Sequence, residues 1–443
     1  MAKYTRDDIL DMIEEEDIEF IRLQFTDIAG NLKNMATTVD QIDKILDGRC
    51  QFDCAAIDGF DGDMEELFLI PDLDTFVIFP WRPQHGKVAR FICDIVKPDG
   101  TPFDGDSRYI LKRIIAEAKD MGYDFDVALK NEFFLFDLGE NGEPTQNSSE
   151  KGGYFDVGPA DCGENARRDM VLYLADMGIS TESSYHSDEA AQHVLDMTYT
   201  NALTMADNIM TSRLVIRTVA KRHGLHATFM PKPKYNENGS GMHMNMSLHN
   251  EAGENVFNDK NDPNGMSKEA YYFIGGLMRH VKGMCAITNP LVNSYKRLVP
   301  GFEAPVYIAW SGTNRSPLIR IPAERGEGTR IELRCPDPSA NPYLVLAVCL
   351  AAGLDGIQKQ IMPPAAVDRN IFNMTEEEIL EEGIDVLPNN LLEAVYEMEK
   401  DELVKEVLGT HTSRRYIKAK KKEWAEYSRQ VSGWELDQYL YRI

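Results

Sequence analysis

Two short runs alternate apolar and polar residues. In Gly241-Met-His-Met-Asn-Met-Ser247 the polar set is His243, Asn245 and Ser247; in Arg330-Ile-Glu-Leu-Arg334 it is Arg330, Glu332 and Arg334. Side chains of a strand alternate between its faces, so each set is expected on one face of a strand. Ahead of the first run lies Asn238-Gly-Ser-Gly, whose glycines let a backbone approach a ligand closely. The loop-like stretch from Asn293 to Pro305 carries Lys296, Arg297 and Glu303, a composition suited to an anionic substrate and a mobile lid. Arg315, Arg320, Arg325, Arg330 and Arg334 crowd one short stretch of a very acidic chain, which points to a polyanion such as a nucleoside triphosphate.

The elements that must position these residues are partly legible. A short acidic helix is expected at about Thr5 to Glu16, followed by strands at 20–25, 75–80 and 88–95. Asp106 makes a good N-cap for a helix with apolar residues at Ile110, Leu111, Ile114, Ile115 and Ala118, closed by Gly122. Strands at 132–136, 226–230, 241–247 and 330–334 alternate with helices, one of them over 165–177. The apolar run from Tyr343 to Leu354 is too short to span a bilayer and predicts a buried helix. The last hundred residues read as amphipathic helices with solvated charge runs.

The 443 residues carry a net charge of −25, which argues against nucleic acid or an anionic membrane surface as the main partner. Seven scattered cysteines form no CxxC pair and suit reduced thiols. The opening Met-Ala-Lys-Tyr-Thr-Arg-Asp-Asp has no apolar core of a secretory signal, so a cytoplasmic protein is expected.

Together these segments resemble type I glutamine synthetases. The resemblance also takes in Gln24-Phe-Thr-Asp-Ile28, the stretch 75–94, Lys151-Gly-Gly-Tyr-Phe-Asp156 and Arg222–Pro233, and covers essentially the whole chain. It implies an α+β fold: a small N-terminal β-grasp-like domain over 1–103 and a large catalytic-type domain over 104–443, with helices and a curved antiparallel sheet. It also implies glutamine formation from glutamate, ammonia and ATP through a γ-glutamyl phosphate, in two stacked rings of six subunits. On this sequence Asn238, Gly239, Arg297 and Arg334 would hold the glutamate, and Glu303 would close the site over the acyl phosphate. Asp53, lent by a neighbouring subunit, would help deprotonate ammonium. Arg315, Arg320 and Arg330 would hold phosphates, while Glu182, Asn245 and Ser247 would line the nucleotide site. No tyrosine stands in Asn370-Ile-Phe-Asn-Met-Thr375, where some members are adenylylated, so that regulation is not expected.

The sequence departs from the pattern at the metals. The family holds two ions with five carboxylates and one histidine; here Glu132, His243 and Glu332 remain, and Lys130, Ser187 and Val194 stand where carboxylates belong. Hard Mg²⁺ or Mn²⁺ ions need that oxygen charge, so weak metal binding is expected, with Lys130 pairing to Glu132 and Glu332 instead. Asp188 is expected to point away from the site and Glu189 to share the face of Ser187. Ala190 replaces a usual proline, and Cys54-Ala55-Ala56 replaces small polar residues. The expected outcome is weak or absent ligase activity in a regulatory or non-catalytic paralogue, able to co-assemble with an active one. The alternative is an active glutamine synthetase, or a ligase on a related amine or acid, with a reduced or rearranged metal site.

Overall fold

The computed structural model describes residues 3–55, 57, 59–60, 66–82 and 85–443; Ala56 falls outside them. An N-terminal sheet orders its strands Leu32–Thr38, Ile18–Thr26, Lys87–Val96, Leu67–Ile78 and Cys50–Phe52. The central pair, Ile18–Thr26 and Lys87–Val96, runs parallel, and the outer pairings are antiparallel. Helix Arg6–Glu15 is started by a capping box in which Thr5 and Asp8 satisfy each other's backbone donors. This is the β-grasp domain.

The second sheet has eight strands. Its path runs Trp310–Ser311, Ile319–Arg320, Ile331–Leu333, Met242–His249, Asp124–Asp137, Gln192–Asn201 and Thr181–His186, with Leu225–Thr228 pairing beside Asp124–Asp137. All pairings are antiparallel except at one edge, where Trp310–Ser311 lies parallel to Ile319–Arg320, so the expected all-antiparallel sheet is mixed there. Helices Ser107–Asp120, Ala202–Arg222, Lys268–Thr288 and Pro342–Lys359 are packed into the same domain. Asp106 caps the first of these as its sequence suggests, accepting the Arg108 amide and also the Ile95 amide of the β-grasp domain. The apolar run at 343–354 lies within helix Pro342–Lys359 and is buried on all sides, which explains its lack of amphipathic pattern. No helix is long and apolar enough to cross a membrane among the described residues. Six of the seven cysteines are buried, and Cys162 is exposed.

One buried histidine ties the C-terminal helices to the core. His280 puts Nδ1 2.8 Å from Asp401 and Nε2 3.1 Å from Asp355. Both ring nitrogens can donate only when the imidazole is protonated. Burial opposes that charge, but the two carboxylates outweigh it and raise the pKa. The resulting stabilisation is complete below the ordinary histidine pKa and is lost as pH rises through the raised folded value. His280→Gln should therefore remove a stability loss of up to ~1.4 kcal/mol per pH unit between the ordinary histidine pKa and the raised folded value. Urea unfolding across pH reads this directly.

Candidate active site

Residues opposite one another on paired antiparallel strands share a face, so the register assembles the site row by row. Glu132 faces Val194, which faces Tyr185. In the next row His243 faces Lys130, which faces Asp196, which faces Ser183. In the third, Arg320 faces Glu332 and Glu332 faces Asn245. Lys130 is thus central, and the fully buried Val194 sits directly beside Glu132.

The charges interlock. Lys130 Nζ lies 3.7 Å from Glu132 Oε1 and 5.5 Å from the centre of the Tyr185 ring. Burial works against the ammonium, but Glu132, Tyr185 and Asp196 overcome it and raise its pKa, so Lys130 is charged at neutral pH. Glu132 is buried too, yet Lys130, His243 and the Gly241 amide at 2.7 Å hold its pKa below the usual range. The expected second pairing of Lys130, with Glu332, does not form. Glu332 is occupied by His243 Nδ1 at 3.3 Å and Arg320 Nη1 at 3.2 Å. Burial disfavours its charge, but these partners and Arg334 bring its pKa down to about 2. His243 is pushed down by burial and is neutral at pH 7, the form that can ligate a metal.

Over these rows opens a cavity of about 530 Å³. Its lining includes Lys130, Glu132, Ser187, His243, Asn238, Gly239, Arg297, Glu303, Arg315 and Arg334, so ten of the residues singled out from sequence converge on it. Arg297 is 2% exposed and anchored by the carbonyls of Cys335 and Arg334, leaving little freedom in how its charge is presented. Gly239 is required, because a Cβ there would stand 2.2 Å from the Pro231 carbonyl. Gln192 fixes this loop by donating to the Gly239 carbonyl at 3.1 Å.

Asp188 and Glu189 exchange their expected places. Strand Thr181–His186 ends before them, and Ser187 to Gln192 form a turn with Ala191 at φ +71°, so period-2 alternation no longer applies. Glu189 accepts the Asn238 amide at 2.8 Å and so supports the loop that carries Asn238 and Gly239. Asp188 lines the cavity and faces Glu303, whose pKa is raised by burial and by this second carboxylate. Asp188→Asn should return the Glu303 titration toward the ordinary carboxylate range, as carboxyl-carbon NMR would show.

Asn245, Ser247, Glu182, Arg320 and Arg330 do not line this cavity. Asn245 and Ser247 continue along the strand that carries His243. Glu182 and Arg330 both act electrostatically on the exposed Tyr199, which sequence reasoning missed, and Arg330 pairs with Glu324 at 2.5 Å. Asp53 caps its own turn through the Ala55 amide and is absent from the cavity of its own chain. Asn314 and Ser316, beside Arg315, and Phe372, in the run where some family members carry a modified tyrosine, also line the cavity.

Behind the turn, Glu150, Asp161, His186 and His193 are all buried, with one ligand-capable atom of each within 4.8 Å of the others. Glu150 accepts from His186 at 2.6 Å, and Arg167 reaches Asp161 and His193 at 3.0 and 2.8 Å. Weak metal binding is therefore an expectation for the cavity alone; the chain has not lost metal-competent groups in general.

Comparison with known proteins agrees with the geometry. Residues 104–439 match the model of the glutamine synthetase catalytic domain, and residues 17–98 match its β-grasp domain. Over 99% of both chains, this protein is 59% identical to the glutamine synthetase of Clostridium saccharobutylicum. It is 52% identical to that of Staphylococcus aureus strain MW2, over 99% of this chain and 98% of the relative. Among solved structures, a GmaS complex with ADP superposes with a TM-score of 0.89 at 33% identity, covering 98% of this chain and 99% of the other. Plasmodium falciparum glutamine synthetase gives 0.87 at 25% identity, over 99% of both chains. The chain belongs to the glutamine synthetase family.

Proposed function

We propose that this chain is an active ATP-dependent ligase of the glutamate–ammonia type, acting on glutamate or a related acid with ammonia or a related amine. Its cation arrangement is rebuilt around Lys130. One observation carries the reading: Asn238, Gly239, Arg297, Arg334, Arg315 and the flap residue Glu303 converge on a single cavity. The close similarity to glutamine synthetases over the full chain supports it as well.

The family's two divalent ions do not fit this cavity as they fit a carboxylate-complete one. Val194 cannot ligate, Lys130 places an ammonium 3.7 Å from Glu132, and Glu332 is already shared by His243 and Arg320. An ion would be left with Glu132, His243 and Glu332 as partial ligands. The chain's own cations then carry more of the charge work on a transferring phosphoryl group. In this reading the γ-carboxylate, held by Asn238, Arg297 and Arg334, attacks the terminal phosphorus of ATP and ADP leaves. The amine then attacks the acyl carbon, and phosphate departs with one carboxylate oxygen. Glu303 closes over the acyl phosphate. Arg315 and Arg320 hold phosphate oxygens, and Glu182, Asn245, Ser247 and Arg330 serve the nucleotide. Asp53 acts across a subunit boundary, in a cytoplasmic homo-oligomer of two stacked six-membered rings. The domain division at residue 103/104 belongs to the same reading.

A second reading, a non-catalytic paralogue that acts by co-assembly, is favoured by Val194 and Ser187 both standing at ligand positions beside Glu132. Hydroxamate formation from glutamate, hydroxylamine and ATP, with Mg²⁺ and with Mn²⁺, separates the two. Product that requires both ATP and glutamate supports the ligase. Nucleotide binding with no product under either ion supports the paralogue.

A further inference from the structure

A larger cavity, of about 1090 Å³, lies between the two domains and shares no lining residue with the catalytic one. One wall is helix Ala202–Arg222, which presents Arg213, Arg217 and Lys221 at four-residue spacing and hence on one face. The opposite wall is the β-grasp domain, with Arg22, Gln24, Asn31 and Asn34 from the first hairpin and Arg82 beyond it. In an acidic protein this is a concentration of uncompensated positive charge. Among the described residues, Arg22, Arg82, Arg213, Arg217 and Lys221 make no ion pair at all. The one carboxylate lining the cavity among the described residues, Glu423, is taken by Lys420 at 3.0 Å and by the Val292 amide.

The wall is built rather than incidental. Arg213 is 5% exposed, its terminal nitrogens are fixed by the Ala340 carbonyl and two methionine sulfurs, and its Nε has no partner. Burying a charged donor without a counter-charge is costly unless an anion supplies it. Phe79 and Trp81 stack on each other 4.7 Å apart at the cavity edge, and Arg217 lies 5.2 Å from the Phe229 ring. Guanidinium groups favour phosphate oxygens, and exposed aromatic faces favour a planar base.

We propose that this interdomain cavity is a second anion site, taking the polyphosphate of a nucleoside di- or triphosphate. The phosphates would lie between Arg22 and Arg82 on one side and Arg213, Arg217 and Lys221 on the other, and would brace the two domains. Trp81, the half-buried ring of that pair with the buried Phe79 behind it, is the surface for the base.

Calorimetric titration of the full-length protein with ADP, and separately with inorganic tripolyphosphate, tests the site. The expected result is two equivalents of ADP per chain, one of them lost in Arg320→Gln. The other should weaken at least about tenfold in the double variant Arg217→Gln/Lys221→Gln. Both altered residues of that double variant lie on the exposed side of the helix, and an unchanged melting temperature without ligand verifies its fold. ADP binding tighter than tripolyphosphate at this equivalent supports recognition of the base; equal binding supports a site for polyphosphate alone. A single wild-type equivalent that Arg320→Gln abolishes, or binding that the double variant leaves unchanged, overturns the proposal.

Discussion

Changing Lys130, Ser187 and Val194 together to glutamate should raise Mn²⁺ affinity by orders of magnitude and increase glutamate-dependent turnover with it. An ammonium and a single positive charge 4 Å apart repel by ~4 kcal/mol at the effective dielectric of a near-surface site. Removing Lys130 alone thus gains ~10³ in ion affinity before any new ligand counts. The register shows why the other two changes belong with it. Residue 194 faces Glu132 directly, and Ser187 lines the same cavity. The triple variant should also be less stable than wild type without metal, because Glu132, Glu332 and three new carboxylates then crowd one site from which the Lys130 counter-charge is gone. Its melting temperature should recover as Mn²⁺ is added, since an ion that binds only the folded state stabilises it by mass action. A variant that neither binds Mn²⁺ more tightly nor gains activity would show that the three replacements are not what sets this site apart.

Arg108→Met should be the most destabilising single substitution, costing ~3–5 kcal/mol. The guanidinium is 3% exposed and reaches Asp207 with two nitrogens at 2.9 and 3.1 Å. It also reaches Asp94 at 2.6 Å and Asp72 at 2.7 Å. Asp72 and Asp94 belong to the β-grasp sheet, whereas Arg108 and Asp207 lie on helices of the catalytic domain, so one side chain fastens the two domains. Tyr343 donates to Asp207 at 2.7 Å; burial opposes the Asp94 charge, but Arg108 and then Lys112 hold its pKa below the ordinary carboxylate range. Methionine fills the volume but abandons three carboxylates. Lysine keeps the charge but cannot reproduce the fork, so Arg108→Lys should fall between the two. The midpoint of urea unfolding, followed separately by probes in each domain, would report the loss and show whether the domains uncouple.

Much of the site was legible because strand alternation is a local rule. His243 with Asn245 and Ser247, and Glu332 with its flanking arginines, were placed on common faces by parity, and the two strands do pair. The cap at Asp106 and the left-handed Gly122 at the end of its helix are likewise local signals. What the sequence hid is non-local. Alternation misassigned Asp188 and Glu189 because the strand stops at His186, and a turn that rests on Glu150 takes over. Arg108 reaches a carboxylate 99 positions away, with no pattern to announce it. Lys130 was expected to hold Glu332 as well as Glu132, but the register puts Arg320 next to Glu332 and gives that carboxylate a nearer cation.

The central claim is that this cavity activates the γ-carboxylate of glutamate with ATP despite its rebuilt charges. Glutamate carrying heavy oxygen in its γ-carboxylate, incubated with ATP, Mn²⁺ and ammonium, tests it most directly. An acyl phosphate intermediate must pass one labelled oxygen to the inorganic phosphate released. The account predicts labelled phosphate, formed only when glutamate and amine are both present and abolished by Arg315→Gln. Phosphate released without label, or no glutamate-dependent phosphate at any Mn²⁺ concentration, would contradict it.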